Sequence, residues 1–375
     1  MAVTTDLGQS TGVGPVDLDV STPVYEEVPV RGDLADPSLL GLSGVDRLRH
    51  SLAAGGPLPP VHYLTGLTPT DADVGAVTFV MPATAWLRSP HGFLSGGALA
   101  VLADAALGTA VQSTLPAGGS STTGELSMNL LRPVTADGGL LLARARTVRS
   151  GRSIAFSDAV VLDAQGRMVA SASSRCHVFP PAELTATQPP PGWVEPSYDG
   201  PHPFERPVKG GVIPPDQWLQ LSGAELLQAQ RLGQLPLPPV HYLTGINVAD
   251  WSPGTSVVTA PASPWFMQPR GTVHGGVICL IAEYAIAAAV QTMTEAGQGF
   301  AMLDLKTSFT RPVTPDGGQL TARGRLIHSG RTTRIGAAEV VAASGKVVAC
   351  ATGTALITDR PFCAPVDPEV AAAAS

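Results

Sequence analysis

Residues 57–66 of the chain read PLPPVHYLTG, and residues 236–245 read the same ten letters again. Ten identical residues in a row do not recur by chance, so the stretch indicates either a repeated loop or a repeated domain. His241 follows His62 by 179 residues. This spacing gives an offset that can be tested along the rest of the sequence.

The same offset aligns the two halves without a gap. Trp86 corresponds to Trp265, and the Pro57–Gly66 repeat is only one of several identical segments. The others are Leu42-Ser43-Gly44 with Leu221-Ser222-Gly223, Pro90 with Pro269, Gly96-Gly97 with Gly275-Gly276, Arg132-Pro133-Val134 with Arg311-Pro312-Val313, Ser150-Gly151-Arg152 with Ser329-Gly330-Arg331, and Gly166 with Gly345. One globular unit is therefore written twice, and we expect the copies to pack as an intrachain pseudo-dimer.

The alignment predicts the domain organisation of the chain. The two repeated units span residues 40–180 and 217–360. The remaining segments are predicted to be an N-terminal extension (1–39), a Pro-rich linker (181–216) and a flexible tail (361–375).

The composition favours a globular protein and excludes several classes. With 44% hydrophobic and 14% charged residues in 375, the chain can bury a sizeable core, and its net charge of −7 disfavours nucleic acid or an anionic membrane as partner. Its four cysteines form no CxxC pair, and we see neither a signal peptide nor an apolar run that could span a bilayer. These features predict a cytoplasmic protein without a structural metal or a disulfide framework.

The pattern within one unit predicts the fold. Residues 75–82, GAVTFVMP, favour a strand, and residues 95–112, SGGALAVLADAALGTAVQ, are apolar on every side and favour a buried helix. Four strand-like segments separated by turn residues follow and suggest a meander. We therefore predict an α+β protein of tandem hotdog folds, each an antiparallel sheet wrapped around a buried central helix. A generic α+β sandwich is the structural alternative.

Each predicted central helix carries one acid, Asp104 in the first unit and Glu283 at the matching place in the second. A carboxylate inside an apolar helix is costly unless another group pairs with it or a reaction uses it. It is either a core acid bonded to backbone or Arg, or a general base or nucleophile.

The starts of the two helices differ in the polar groups that they present. Residues 268–276 read QPRGTVHGG, whereas residues 89–97 read SPHGFLSGG. A helix N-terminus offers free N–H groups, and glycine leaves them open to a carbonyl oxygen, as an oxyanion hole requires. His274 and Gln268 can add side-chain contacts there. The second unit therefore presents the fuller set of groups.

The length of a helix decides which acid serves which helix start. Nine helical residues separate Glu283 from His274, about 13 Å, so one small carbonyl group cannot contact both. The acid must come from the other unit, which predicts two composite sites. Site one combines Asp104 with Gln268, His274 and Gly275, and site two combines Glu283 with Ser89, Ser95 and Gly96. Because site two lacks the His and the amide, we expect one working site.

Three segments of the second unit resemble PaaI-type acyl-CoA thioesterases of the hotdog superfamily. They are GTVHGGVICLIAEYA (271–285), SFTRPV (308–313) and SGRTTRIGAAEVV (329–341), and the resemblance extends over both units. The resemblance implies hydrolysis of a coenzyme A thioester without a metal or separate cofactor, since coenzyme A is part of the substrate. A glycine N–H and the amide side chain would polarise the carbonyl, and the partner acid would attack it or activate water.

The resemblance adds a hydroxyl to site one. Family members often carry Ser or Thr near the acid, two residues before an acidic position on the next strand. Thr123 precedes Glu125 in this way, whereas Met302 precedes Asp304. Thr123 is therefore expected beside Asp104 and Met302 beside Glu283. Related enzymes also form larger assemblies, so further homo-oligomerisation is expected.

Other residues give weaker signals. Gly276, Arg152 and Arg331 are predicted to bind substrate, the two arginines through the phosphates or the pantetheine arm of coenzyme A. A solvated turn is the alternative for both arginines. Structural roles are the simpler interpretation for Arg132 and Arg311 at strand ends, His62 and His241 in the repeat, and Trp86 and Trp265.

Three functions compete at this stage. The first is a single-chain acyl-CoA thioesterase, and the second is an acyl-CoA or lipid-binding hotdog protein without turnover. The third, a hotdog hydratase, would require a differently placed His, and the Asn-Pro-(Ile or Leu)-His run of such enzymes is missing. The acyl group, the oligomeric state and the choice between nucleophile and general base stay open.

Overall fold

The computed structural model describes residues 22–137, 139–181 and 200–365. The outer parts of the predicted N-terminal extension and tail, and residues 182–199 of the predicted linker, lie outside the described residues.

The two units contain the same elements in the same order. The first comprises α1 (Gly44–Ala54), α2 (Pro60–Thr65), β1 (Thr68–Asp73), β2 (Ala76–Pro82), α3 (Gly96–Ser113), β3 (Ser120–Leu130), β4 (Leu140–Ser150), β5 (Ile154–Leu162) and β6 (Met168–Phe179). The second comprises α4 (Pro215–Gln220), α5 (Gly223–Arg231), α6 (Pro239–Thr244), β7 (Asn247–Ser252), β8 (Thr255–Pro261), α7 (Gly275–Gln291), β9 (Gly299–Phe309), β10 (Gln319–Ser329), β11 (Thr333–Val341) and β12 (Val347–Thr358). Only α4 lacks a helical counterpart in the first unit.

All twelve strands form one antiparallel sheet in the order β1-β2-β4-β5-β6-β3-β9-β12-β11-β10-β8-β7. The order reads symmetrically from both edges. The two units join at β3 and β9, where Ser127 lies opposite Lys306, its own counterpart 179 residues later. A pseudo-twofold axis therefore passes through this pair, and the predicted pseudo-dimer of tandem hotdog folds is confirmed.

Within each unit the sheet order differs from a simple meander. Strands β4, β5 and β6 follow one another, but β3 pairs with β6 and not with β4. The reason is the second partner of β3. It must lie at the inner edge of its unit to hydrogen-bond with β9 of the other unit. A hairpin of two strands, β1 and β2, also precedes the central helix where the sequence predicted one strand.

The central helices α3 and α7 are buried over most of their length, as the apolar pattern predicted. They pack against each other, and each also packs against the strands of its own unit. Each begins at a cap: the Ser95 hydroxyl accepts from Ala98 N–H (3.2 Å), and His274 Nδ1 accepts from Gly276 N–H (3.1 Å).

The two helices approach each other at glycines. A Cβ added to Gly97 would lie 2.4 Å from the Cα of Leu280, and one added to Gly276 would lie 2.4 Å from the Cα of Val101. Val101 and Leu280 are equivalent by the repeat. Because backbone atoms occupy this space, neither glycine can carry a side chain without separating the helices.

The repeated decapeptide forms helix α2 in one unit and α6 in the other, each ending at a glycine in the left-handed region (Gly66, φ 76°). Helix α2 packs across the unit boundary, where Val61 N–H donates to the Met267 carbonyl (3.2 Å). Met267 begins the loop that leads to His274. The repeat therefore supports the entry to the other unit's central helix.

The segment before each unit also crosses to the other half. Trp265 Nε1 donates to the Glu27 carbonyl (2.9 Å), and Trp86 Nε1 donates to the Arg206 carbonyl (3.0 Å). Arg206 belongs to the segment predicted as a linker, so this described part of the linker packs against the first unit. Both tryptophans are 1% exposed, and these bonds satisfy their indole N–H groups.

Gly97→Ala is expected to lower the free energy of unfolding by about 2–3 kcal/mol, because the new methyl group overlaps the Leu280 backbone. Gly108→Ala on the same helix is the control. Its Cβ would meet only Thr123 Oγ1 at 3.8 Å, so a gain of about 0.5–1 kcal/mol is expected. Urea denaturation measures both variants, and equal effects would contradict the close helix contact.

His91 lies between Trp218 and Phe300, with ring centroids 4.3 and 4.8 Å away. Its Nε2 atom is buried without a hydrogen-bond partner in the described part of the chain. Burial lowers the pKa of His91 from 6.5 to about 4. The unfolded chain therefore binds a proton more readily than the folded protein, and this contribution to stability is lost as pH falls below about 6.5.

His91→Phe is therefore expected to reduce the loss of unfolding free energy between pH 7 and pH 5 by about 1–2 kcal/mol. The exposed His328→Gln serves as control and should keep the wild-type dependence on pH. Urea denaturation at the two pH values is the measurement. A His91→Phe protein as acid-sensitive as wild type would show that His91 is not buried in its neutral form.

Candidate active site

Asp104, halfway along α3, lies against the first turn of α7. Gly276 N–H donates to Asp104 Oδ2 (3.0 Å), and the Thr123 hydroxyl donates to Asp104 Oδ1 (2.9 Å). Asp104 is only 6% exposed, so these bonds compensate for the loss of water. The structure thus brings together the acid of one unit, the hydroxyl beside it and the helix start of the other unit.

His274 caps α7 beside this carboxylate. Its Nδ1 accepts from Gly276 N–H and lies 3.5 Å from Asp104 Oδ2. Burial lowers the pKa of His274, although the neighbouring Asp104 carboxylate acts in the opposite direction. The imidazole is therefore neutral, with the proton on Nε2, and its contact with Asp104 is not an ion pair.

Gly275 contributes the first N–H of α7, and this N–H has no acceptor in the described part of the chain. It lies next to the acid, since a Cβ added to Gly275 would be 2.6 Å from Asp104 Oδ2. A free N–H at the positive end of a helix dipole can bind the oxygen of a polarised carbonyl.

Gln268, expected at the same carbonyl, is held within its own loop. Its Nε2 donates to the Thr272 hydroxyl (2.7 Å), and its Oε1 accepts from Arg270 N–H (3.3 Å). No hydrogen bond joins Gln268 to Asp104 or His274 among the described residues. The cause is the narrow loop closed by the bridge between residues 267 and 273, which turns the amide toward Thr272.

Site two is arranged differently. Glu283 Oε1 accepts from Gly96 N–H (2.9 Å), and Oε2 accepts from Gly97 N–H (2.8 Å). Burial raises the pKa of Glu283, while both N–H groups and the Ser95 side chain oppose that shift. Glu283 thus lies with Ser95 and Gly96 as predicted, but it occupies the first two N–H groups of its partner helix.

The other two residues assigned to site two are not bonded to Glu283. Ser89 makes backbone hydrogen bonds within its own loop, donating to Phe93 and accepting from Gly92. Met302 packs in the core near Gly353.

The contrast between the sites follows from one methylene group. Glutamate is long enough to reach both free N–H groups of α3, whereas aspartate bonds only the second N–H of α7. Site one therefore keeps one N–H for a ligand, and site two has none left.

The turn arginines lie away from these groups. Arg152 and Arg331 are exposed, and no contact joins either to Asp104 or Glu283 among the described residues. Arg132 and Arg311 donate to the carbonyls of Met168 and Val347, where strands β6 and β12 begin. The structure thus gives the second pair a role in anchoring strand ends.

Sequence analysis missed two neighbours of site one. The ring of Phe309 lies 3.3 Å from the Cβ position of Gly275, and Arg270 contacts Gln112 of the other unit. Phe309 could not have been selected, because the register that brings β9 to α7 is not visible in the sequence. Arg270 carried a signal, since the offset replaces it with His91.

Within the described residues, no helix is long and apolar enough to cross a membrane. The same residues contain no group of three or more His, Cys, Asp or Glu side chains that could hold a metal ion.

Comparison with known proteins gives the same repeat. The thioesterase superfamily model matches the chain twice, at residues 91–170 and 270–349. A Haemophilus influenzae protein that carries the name "Putative esterase" is 32% identical over 91 residues, which cover 24% of this chain and 64% of that protein. Each match lies within one repeat unit or spans both in parallel.

Solved structures show both the single and the double form. The Escherichia coli PaaI protein of the phenylacetic acid degradation operon is 24% identical, with a TM-score of 0.33, and the match covers 37% of this chain and 97% of that one. The Mycobacterium marinum acyl-CoA thioesterase II TesB2 is 14% identical, with a TM-score of 0.46, and the match covers 82% and 99%.

The family prediction is confirmed by the two matches to the superfamily model, which lie at equivalent positions of the repeat. Each match includes a helix start and the acid-bearing central helix that follows it. Both domains of the chain therefore belong to the thioesterase superfamily, and the chain is a tandem hotdog member of that superfamily.

Proposed function

We propose that the chain hydrolyses acyl-CoA thioesters at site one. The observation that carries this proposal is the free N–H of Gly275 beside the buried carboxylate of Asp104. An acyl-transfer site needs a donor for the carbonyl oxygen and a base or nucleophile close to the carbonyl carbon. Membership of the thioesterase superfamily supports the thioester as the reacting group.

The carbonyl oxygen of the substrate accepts a hydrogen bond from Gly275 N–H. Negative charge develops on that oxygen as the carbonyl carbon becomes tetrahedral. The first turn of α7 stabilises this charge through the N–H and through the positive end of its dipole, in a site from which water is largely excluded. Fixed donors of this kind lower the barrier because they need no reorganisation during the reaction.

Asp104 acts on the other side of the carbonyl carbon. As a general base it takes a proton from water while the water oxygen bonds to that carbon, and the intermediate then expels the coenzyme A thiolate. As a nucleophile its carboxylate forms a mixed anhydride and releases the same thiolate, after which water cleaves the anhydride. The bonds from Thr123 and Gly276 orient the carboxylate for either route.

The remaining groups of site one position the reacting ones. His274 caps α7 and keeps its first turn aligned with Asp104. Gln268 bonds with Thr272 and fixes the loop that precedes His274. Site two supports the fold, because its carboxylate already bonds both N–H groups that a carbonyl would need.

Asp104→Asn is expected to lower kcat for acyl-CoA hydrolysis by about 100-fold or more, because an amide neither attacks nor removes a proton. Glu283→Gln is the matched control and should keep most of the activity. Thiol release over a panel of aryl, short and long acyl-CoAs measures both proteins. Activity that survives the first change and disappears with the second would move the reaction to site two.

A wild-type protein that binds acyl-CoA but releases no thiol with any member of the panel would support the alternative. The chain would then be an acyl-CoA-binding hotdog protein without turnover.

Gly275→Ala tests the oxyanion donor. Its Cβ would lie 2.6 Å from Asp104 Oδ2, so the methyl group should displace the carboxylate and the bound carbonyl and lower kcat by about 100-fold. Gly96→Ala introduces similar crowding in site two, 2.9 Å from Glu283 Oε1, and should leave kcat within about twofold of wild type. Steady-state thiol release compares them, and equal losses would contradict a special role for Gly275.

A further inference from the structure

Two arginines from different halves of the chain meet at the C-terminal end of α3. Arg270 Nη2 donates to Gln112 Oε1 (2.8 Å), and Gln112 Nε2 donates to the Gly119 carbonyl (3.3 Å). The same carbonyl accepts from Arg47 Nη2 (3.0 Å). Gln112 and Gly119 thus hold the two guanidinium groups in one cluster, the Arg47–Arg270 cluster.

This cluster carries positive charge that the protein does not neutralise. Neither Arg47 nor Arg270 forms an ion pair with a carboxylate among the residues that the structure describes. Burial lowers the pKa of both arginines, and Arg270 lowers that of Arg47 further. In a chain with a net charge of −7, two like charges held together favour an anionic ligand.

The cluster lies on the side of α3 that leads away from Asp104. Gln112 follows Asp104 by eight helical residues, about 12 Å along the axis. Buried Cys176 faces both charges: burial raises its pKa to about 11, Asp104 acts in the same direction, and Arg270 opposes it. An extended pantetheine arm can therefore span the interval between the reacting carboxylate and the arginines.

The equivalent position beside site two is apolar. The repeat replaces Arg47 with Leu226, which is fully buried, and Arg270 with His91. His91 stacks on Trp218 of α4, the helix that the first unit lacks. Free positive charge accompanies only the site that keeps a free N–H.

We infer that Arg47 and Arg270 bind phosphate groups of the coenzyme A moiety of the substrate. The guanidinium group is suited to this because its N–H donors match two phosphate oxygens at once and it stays charged at physiological pH. The inference rests on the proposed acyl-CoA substrate and assigns the recognition of its nucleotide end to these two residues. They would bind substrate without taking part in the chemical step.

Two substrates with the same acyl group separate this role from a structural one. The first is the acyl-CoA that the wild-type protein hydrolyses best, and the second is the matching acyl-pantetheine, which lacks the phosphates. Arg47→Gln and Arg270→Gln are each expected to raise KM for acyl-CoA about 10-fold with kcat nearly unchanged. Neither change should alter hydrolysis of the acyl-pantetheine.

Arg49→Gln is the matched control on the same helix. Arg49 pairs with Asp73 (2.8 Å) on the surface, and its loss should change neither substrate. A rise in KM that is equal for both substrates in the Arg47→Gln and Arg270→Gln proteins, or no rise for either, would overturn the inference.

Calorimetric binding of free coenzyme A keeps this inference separable from the proposed hydrolysis. About 10-fold weaker binding in both arginine variants would support the phosphate contact even if the wild-type protein released no thiol. Unchanged affinity in both variants would refute the contact even if acyl-CoA is hydrolysed.

Discussion

The contact between the two central helices is the constraint on which the rest of the structure depends. Gly97 and Gly276 let α3 and α7 approach until a Cβ at either position would lie 2.4 Å from the Cα of Leu280 or Val101. At that separation the carboxylate of each helix reaches the first N–H groups of the other. Each acid is then compensated by a partner helix, and the interface between the units is polar only where the helix starts lie. The joined strands β3 and β9 keep the helices in this alignment.

Duplication allowed the two halves of a once symmetric arrangement to diverge. One half of the symmetry keeps an aspartate, which leaves the Gly275 N–H without an acceptor, and the other has a glutamate, which bonds both Gly96 and Gly97. The first is suited to a ligand and the second to stability, because unsatisfied donors are costly in a core but necessary in an oxyanion hole. The surroundings follow the same division: two unpaired arginines lie near Asp104, and stacked aromatic rings lie near His91.

The repeat made most of the architecture predictable. An offset of 179 residues established two units, and an apolar helix with one acid located both composite sites, because helix length excluded an acid from the same unit. The pairing of β3 with β6 could not be predicted, since it depends on the partner strand β9. The orientation of Gln268 was also beyond the sequence, because a hydrogen bond to Thr272 in a tight loop decides it. Nor does a sequence show that Glu283 fills its own site, since that depends on distances to Gly96 and Gly97.

The central claim is that one of two related sites receives the thioester carbonyl. A crystal structure with a non-hydrolysable acyl-CoA analogue, in which a methylene group replaces the thioester sulfur, tests it most directly. The account predicts one analogue per chain, with its carbonyl oxygen within hydrogen-bonding distance of Gly275 N and its carbonyl carbon beside Asp104. An analogue whose carbonyl lies at Gly96, or analogues at both helix starts, would contradict it.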